Sequence, residues 1–212
     1  MFKNGIPPMY GWSQGSAATQ IFQPSGGEDD GTFEYTNNNS SSAPSSSQDY
    51  NTDEDDTTVA WARVARGEDS AIWYKAYFRF PNISVAQGAT IQNSYLKVII
   101  SLASGTGAAT IVGTDVDNVT QPVNGSDGVH SLHTTASVAW SNPTANGTNY
   151  VSSPDIATII QEIVDRPGWS SGNAIMIQIF YQGSVTGDQN RKFLAWDAND
   201  NASQAAKLEI ST

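Results

Sequence analysis

Apolar and polar positions alternate in short runs along most of the chain. Between Thr57 and Ala65, Val59, Trp61 and Arg63 fall on one side and Ala60, Ala62 and Val64 on the other. After Gly67, Ala71–Phe80 repeats the pattern with Ile72, Tyr74, Ala76, Phe78 and Phe80, and Pro81 stops it. A period of two puts successive side chains on opposite faces of an extended strand. Ser94–Ala103 (Leu96, Val98, Ile100, Leu102) and Ala108–Asp117 (Ala109, Ile111, Gly113) flank Gly105-Thr106-Gly107, which predicts a hairpin. Further strands are predicted over Thr135–Trp140, Ala174–Tyr181, Arg191–Trp196 and Lys207–Ile210, with two short ones at Gln20–Gln23 and Thr32–Thr36. Turn residues recur at the spacing of a β-sandwich.

One segment follows a helical period. Ile156, Ile159, Ile160, Ile163 and Val164 form a single apolar stripe. Ser153 is placed to cap the helix, Pro154 suits its first position, Asp155 suits its positive end, and Pro167-Gly168 ends it. A helix over Pro154–Asp165 is therefore predicted, closing an open end of the sandwich core. The fold class that follows is all-β, an antiparallel sandwich of jelly-roll type with one short capping α-helix.

Two stretches stand apart from this body. Residues 1–19 hold Gly5, Pro7, Pro8, Gly11 and Gly15, which deny regular structure, and read as an extended arm. The arm also carries Phe2, Ile6, Tyr10 and Trp12, which are costly to leave in water and are expected to be buried either on the arm's own domain or on a partner chain. Residues 20–212 form the sandwich domain, with an acidic Ser/Asn-rich loop at about 37–56.

Charge narrows the partners. A formal net charge of −11 repels nucleic acid and anionic lipid, whose binding depends on Lys and Arg. No membrane span and no signal-peptide core is expected in the sequence given. The absence of cysteine removes disulfides, zinc–thiolate sites and thiol nucleophiles. His130 and His133, three apart in a Ser/Thr-rich segment, read as exposed loop residues with no third ligand beside them. Carboxylates gather in loops (Glu28–Asp30, Asp53–Asp56, Glu68-Asp69, Asp197, Asp200) and read as a solvated acidic face rather than a general-acid pair. No catalytic residue and no cofactor is expected. Asp115, Asp117 and Asn118 at a strand end, and Asp197, Asn199 and Asp200, have the composition of a structural calcium site without the spacing of a known loop.

The stretch PDIATIIQEIVDRPGWSSGNAIMIQI at 154–179 resembles the DNRLRE-type domains and related carbohydrate-binding-module-like β-sandwiches of phage and bacterial surface proteins. Phe78-Arg79-Phe80 followed by 85–91, the acidic strand end at 113–118, the pair 191–196 and 207–210, and the acidic lead-in loop Gly26–Asp30 are similar in the same order. Ala86 stands where that pattern usually has proline, and residues 1–19 lie outside it. The resemblance implies a non-catalytic domain, either structural or polysaccharide-binding.

Two functions are expected. The first is a virion structural protein, either a phage capsid decoration (cement) protein or a small tail or fibre component. It would sit on the virion surface, bound to capsid or another virion protein through Phe2, Ile6, Tyr10 and Trp12, and would form a homo-oligomer, with a trimer as the simplest guess. The second is an extracellular or cell-surface module that stacks a glycan on Trp73, Tyr77, Tyr181 and Trp196.

Overall fold

The computed structural model describes residues 18–36, 61–66, 72–104, 108–122, 129–145, 147–181, 190–194 and 203–212. In chain order the strands are β1 (Thr19–Phe22), β2 (Asp30–Thr36), β3 (Trp61–Arg66), β4 (Ile72–Phe80), β5 (Asn93–Ser104), β6 (Ala108–Thr114), β7 (His133–Ser141), β8 (Tyr150–Ser152), β9 (Ile175–Tyr181), β10 (Asn190–Leu194) and β11 (Lys207–Ser211). The helix α1 (Ala157–Val164) stands between β8 and β9. Among the described residues no helix is long and apolar enough to cross a membrane.

Among the described residues all pairings are antiparallel. One sheet runs β1-β11-β5, with β8 added to β5; the other runs β10-β3-β4-β9-β6-β7, with β2 added to β4. The long strand β5 belongs to both, because Asn93–Lys97 pairs with β11 while Ile100–Ser104 pairs with β10. The molecule is thus an all-β sandwich. Its core takes Ala76, Phe78 and Phe80 from β4, Leu96, Val98 and Ile100 from β5, and Ile175, Ile177 and Ile179 from β9. These are the alternate residues that the period of two assigns to one face.

The helix closes this core as its stripe requires, since Ile156, Ile159, Ile160, Ile163 and Val164 are all buried in it. Gly113 in β6 makes the close approach possible. A Cβ there would lie 2.6 Å from Ile163 Cδ1 and 2.9 Å from Ile159 Cγ2. Trp169, just past the helix, is buried and donates its indole N–H to the Val85 carbonyl at 3.0 Å.

Two expectations need correction. Helix α1 begins at Ala157, after the expected start, because Ser153 does not cap it. The Ser153 hydroxyl instead accepts the Leu96 N–H of β5 at 3.0 Å. Asp155 takes the Ala157 N–H at 2.9 Å and the Ser94 N–H at 2.9 Å, tying the helix start to β5. The hairpin expected of β5 and β6 does not form either. β5 pairs with β8, β10 and β11, and β6 pairs with β7 and β9. A glycine-rich link signals that the chain turns, but it says nothing about which strand will be its neighbour.

Candidate functional site

Chemistry-bearing side chains gather on the outer face of the larger sheet. There Lys75 and Tyr77 of β4 and Met176, Gln178 and Phe180 of β9 alternate with the core-facing residues, yet all five are buried. Part of that burial comes from residues 115–122 and 129–132, between β6 and β7. Val119 and Val129 from this crossing pack with Phe33, Tyr77, Ala174 and Met176, and Val116 packs against them. Around β4 and β9 the sheet is therefore covered on both faces, and the outer layer there is a second, smaller apolar cluster.

Polar groups lock the crossing down. Gln178 donates to Thr114 Oγ1 at 2.7 Å and to the Val129 carbonyl at 3.1 Å. Lys75, 1% exposed, brings Nζ to 2.9 Å from His133 Nε2 and 4.9 Å from the centre of the Phe180 ring. The His133 ring stacks on Phe180 with centroids 5.3 Å apart. Burial pulls the Lys75 ammonium down to about 7, because a charge taken out of water is disfavoured.

Two ionic clasps flank this layer. Asp29 is fully buried, contrary to the solvated acidic face expected of its loop, and Asp30 is buried as well. Asp29 accepts from Arg79 Nη1 (2.6 Å), the Ser25 hydroxyl (2.6 Å), the Ser25 N–H (2.8 Å) and Gln121 (3.2 Å). Burial pushes its carboxyl up, but the Ser25 and Arg79 hydrogen bonds outweigh that and leave it below the usual carboxylate range. Arg79 also donates Nε–H to the Val119 carbonyl at 2.9 Å, so one guanidinium joins the Asp29 loop to the crossing. At the other end Arg166 donates Nε–H to Asp117 at 2.7 Å and pairs through Nη1 with Asp115. The Asp117 carboxylate rests against Gly168, where a Cβ would collide with it.

These contacts account for several of the residues singled out in the sequence. Asp115 and Asp117 face the Arg166 guanidinium, and Asn118 spends its side-chain oxygen on the Ala174 N–H at 2.8 Å. Among the described residues no three His, Asp or Glu side chains converge as a metal site. Tyr77 is no exposed platform. It is 8% exposed, stacked on Phe33 at 4.6 Å, with its hydroxyl lying where a side chain on Gly31 would have to go. For Trp73 in β4 and Tyr181 in β9 only the strand is described, with Trp73 opposite Tyr35 and Tyr181 opposite Ala109. Trp196, Asp197, Asn199, Asp200 and the four arm residues Phe2, Ile6, Tyr10 and Trp12 lie outside the described residues. His133 is not a loop residue, as it opens β7 opposite Thr114.

Sequence reasoning passed over Lys75, Gln178 and Phe180. The one available signal was a lysine between Tyr74 and Ala76 in a strand otherwise free of charge up to Arg79. No family model matches the chain, and no curated protein matches it in sequence.

Proposed function

We propose that the chain is a non-catalytic structural protein of a virion surface, of the capsid decoration or cement type or a small tail or fibre component. The observation that carries this reading is what the charged groups do. Arg79, Arg166 and Lys97 each hold a carboxylate of the fold itself, at Asp29, at Asp115 and Asp117, and at Glu209. The pairs of Arg79 and Arg166 hold loops onto the sandwich, and Lys97–Glu209 joins β5 to β11. A net charge of −11 adds a surface that resists non-specific association when many copies are displayed together. Attachment falls to residues 1–19, whose aromatic and aliphatic side chains supply anchors of the kind that dominate interfaces.

The test is sedimentation of the full chain with virions from its native source. The wild-type chain should co-sediment, and a variant with Phe2→Ala, Ile6→Ala, Tyr10→Ala and Trp12→Ala should remain in the supernatant while keeping its β-sheet circular dichroism. Equal co-sedimentation of the variant would overturn the attachment, and no binding by the wild type would overturn the virion reading. The glycan-binding alternative is favoured by one observation, the register that sets Tyr35 and Trp73 opposite each other on adjacent strands. Loss of glycan-array signal on Trp73→Ala would support it.

A further inference from the structure

The two ends of the strand order, β1 and β7, are finished differently. At β7 the helix α1 reaches across, and the two carboxylate oxygens of Glu162 accept the N–H groups of Thr135 and Ala136 at 2.7 Å each. That carboxylate satisfies two consecutive amides and sets a negative charge in the way of an incoming strand. At β1 no side chain among the described residues does the same for the outward main-chain groups. The segment Ala18–Gln23 holds no charged residue and no proline, the two devices that usually keep an edge strand single.

The register identifies the groups that are left over. Thr212 donates its N–H to the Ala18 carbonyl at 3.3 Å, which extends the pairing of Thr19 with Ser211 by one rung. Main-chain groups alternate in direction along a strand, so Ala18, Gln20 and Phe22 turn theirs toward β11. Thr19 and Ile21 turn theirs outward, and among the described residues these N–H and C=O groups take no partner. Ile21 is also the most exposed large apolar side chain among the described residues, at 58%. The strand itself is firmly held. Thr19 Oγ1 lies 2.8 Å from Ser211 Oγ, the Ser84 hydroxyl donates to Gln20 Oε1, and Phe22 packs against the core. An incoming strand meets a template that is already ordered, which lowers the cost of pairing.

We propose that β1 pairs antiparallel with β1 of a second copy of this chain, joining two sandwiches through one continuous sheet. An antiparallel edge is its own complement under a two-fold axis, and pairing that consumes this edge in both copies closes at two. With Gln20 on the axis, Thr19 faces Ile21 of the second copy and Ile21 faces Thr19 of the second copy. The outward groups of both chains then make about four hydrogen bonds, and the two β-branched side chains pack across each pair. So short a ribbon falls below the ~1,200 Å² of a standard interface, which places the dissociation constant on the order of 0.1 mM. The charge of −11 on each copy opposes the contact while the paired segment adds none, so salt should tighten it. The inference rests on neither the virion nor the glycan reading.

Sedimentation of the full chain between about 10 μM and about 1 mM should show the average mass rising from one copy toward two, more so at higher salt. Over the same series the Thr19 and Ile21 amides should gain protection from hydrogen exchange by about fivefold. Ile21→Lys puts a charge on each side of the axis and should stay monomeric with unchanged β-sheet circular dichroism. Leu132→Lys, which alters the other large exposed apolar side chain, should dimerise as the wild type does. The proposal is overturned if the wild type stays monomeric to about 1 mM, if it assembles beyond two copies, or if Ile21→Lys associates equally well. Protection of the Ile21 amide that is already full at about 10 μM would also overturn it, because the chain's own residues would then occupy the edge.

Discussion

Removal of the Asp29 carboxylate should be among the more damaging single changes this fold can suffer. In Asp29→Ala, Arg79 keeps its bond to the Val119 carbonyl but loses the charge that balances it, with only 15% of its side chain exposed. Breaking one side of a buried pair costs ~3–5 kcal/mol, and the residual exposure of Arg79 places the expected loss near the lower end, at about 3 kcal/mol. The Ser25 N–H and the Gln121 amide lose an acceptor as well. Against a total stability of ~5–15 kcal/mol, that loss should lower the melting temperature by roughly 6–12 °C. Calorimetry or urea unfolding of four proteins (wild type, Asp29→Ala, Arg79→Met and the double variant) completes a cycle. The double variant should recover part of the loss, because no charge is then left buried alone, giving a coupling of about 1–2 kcal/mol. The pH dependence follows the same site. Since the folded carboxyl lies below its ordinary value, its contribution is present above about pH 4 and disappears as the pH falls through the folded value. If Asp29→Ala unfolds within about 0.5 kcal/mol of the wild type, or the two single losses simply add, the clasp is not holding the loop and the reasoning fails.

Two further outcomes can be measured on the same apparatus. Lys75 titrates at about 7 in the fold against an ordinary value near 10.5, so the folded chain binds fewer protons across that window and stability should rise with pH through it. The full rise is at most about 4–5 kcal/mol, and Lys75→Met should flatten it, which urea unfolding at about pH 7 and pH 10 would show. Gly113→Val should cost about 1–3 kcal/mol by forcing α1 off β6, seen as a lower melting temperature with faster exchange in α1.

The sandwich was legible because its core is built from strict alternation. Ala76, Phe78 and Phe80 announce one buried face, and the isoleucine stripe of α1 announces another. The strand β8 was not read, since three residues carry no period. Ser153 misled the helix boundary because a hydroxyl that could cap a helix can equally serve a neighbouring strand, and only the packing against Leu96 decides. The outer layer was hidden for a related reason. Alternation assumes one wet face, so Tyr77 reads as outward until a distant crossing is laid over it. Arg79 and the acidic lead-in loop were both noticed, but nothing in a spacing of fifty residues says that they meet.

The pairing of β1 with β11 has a mechanical consequence. Thr19 lies opposite Ser211 and Phe22 opposite Leu208, so the first and last of the described strands enter and leave the sheet at the same corner. Tension applied through both would open this short ribbon like a zip, one rung at a time, rather than loading every rung together in shear. A tether on one strand alone would instead pass its load into β11 and β5 behind it. Fixed by a single point, the domain can swing without yielding; pulled from both, it should give way at that corner first.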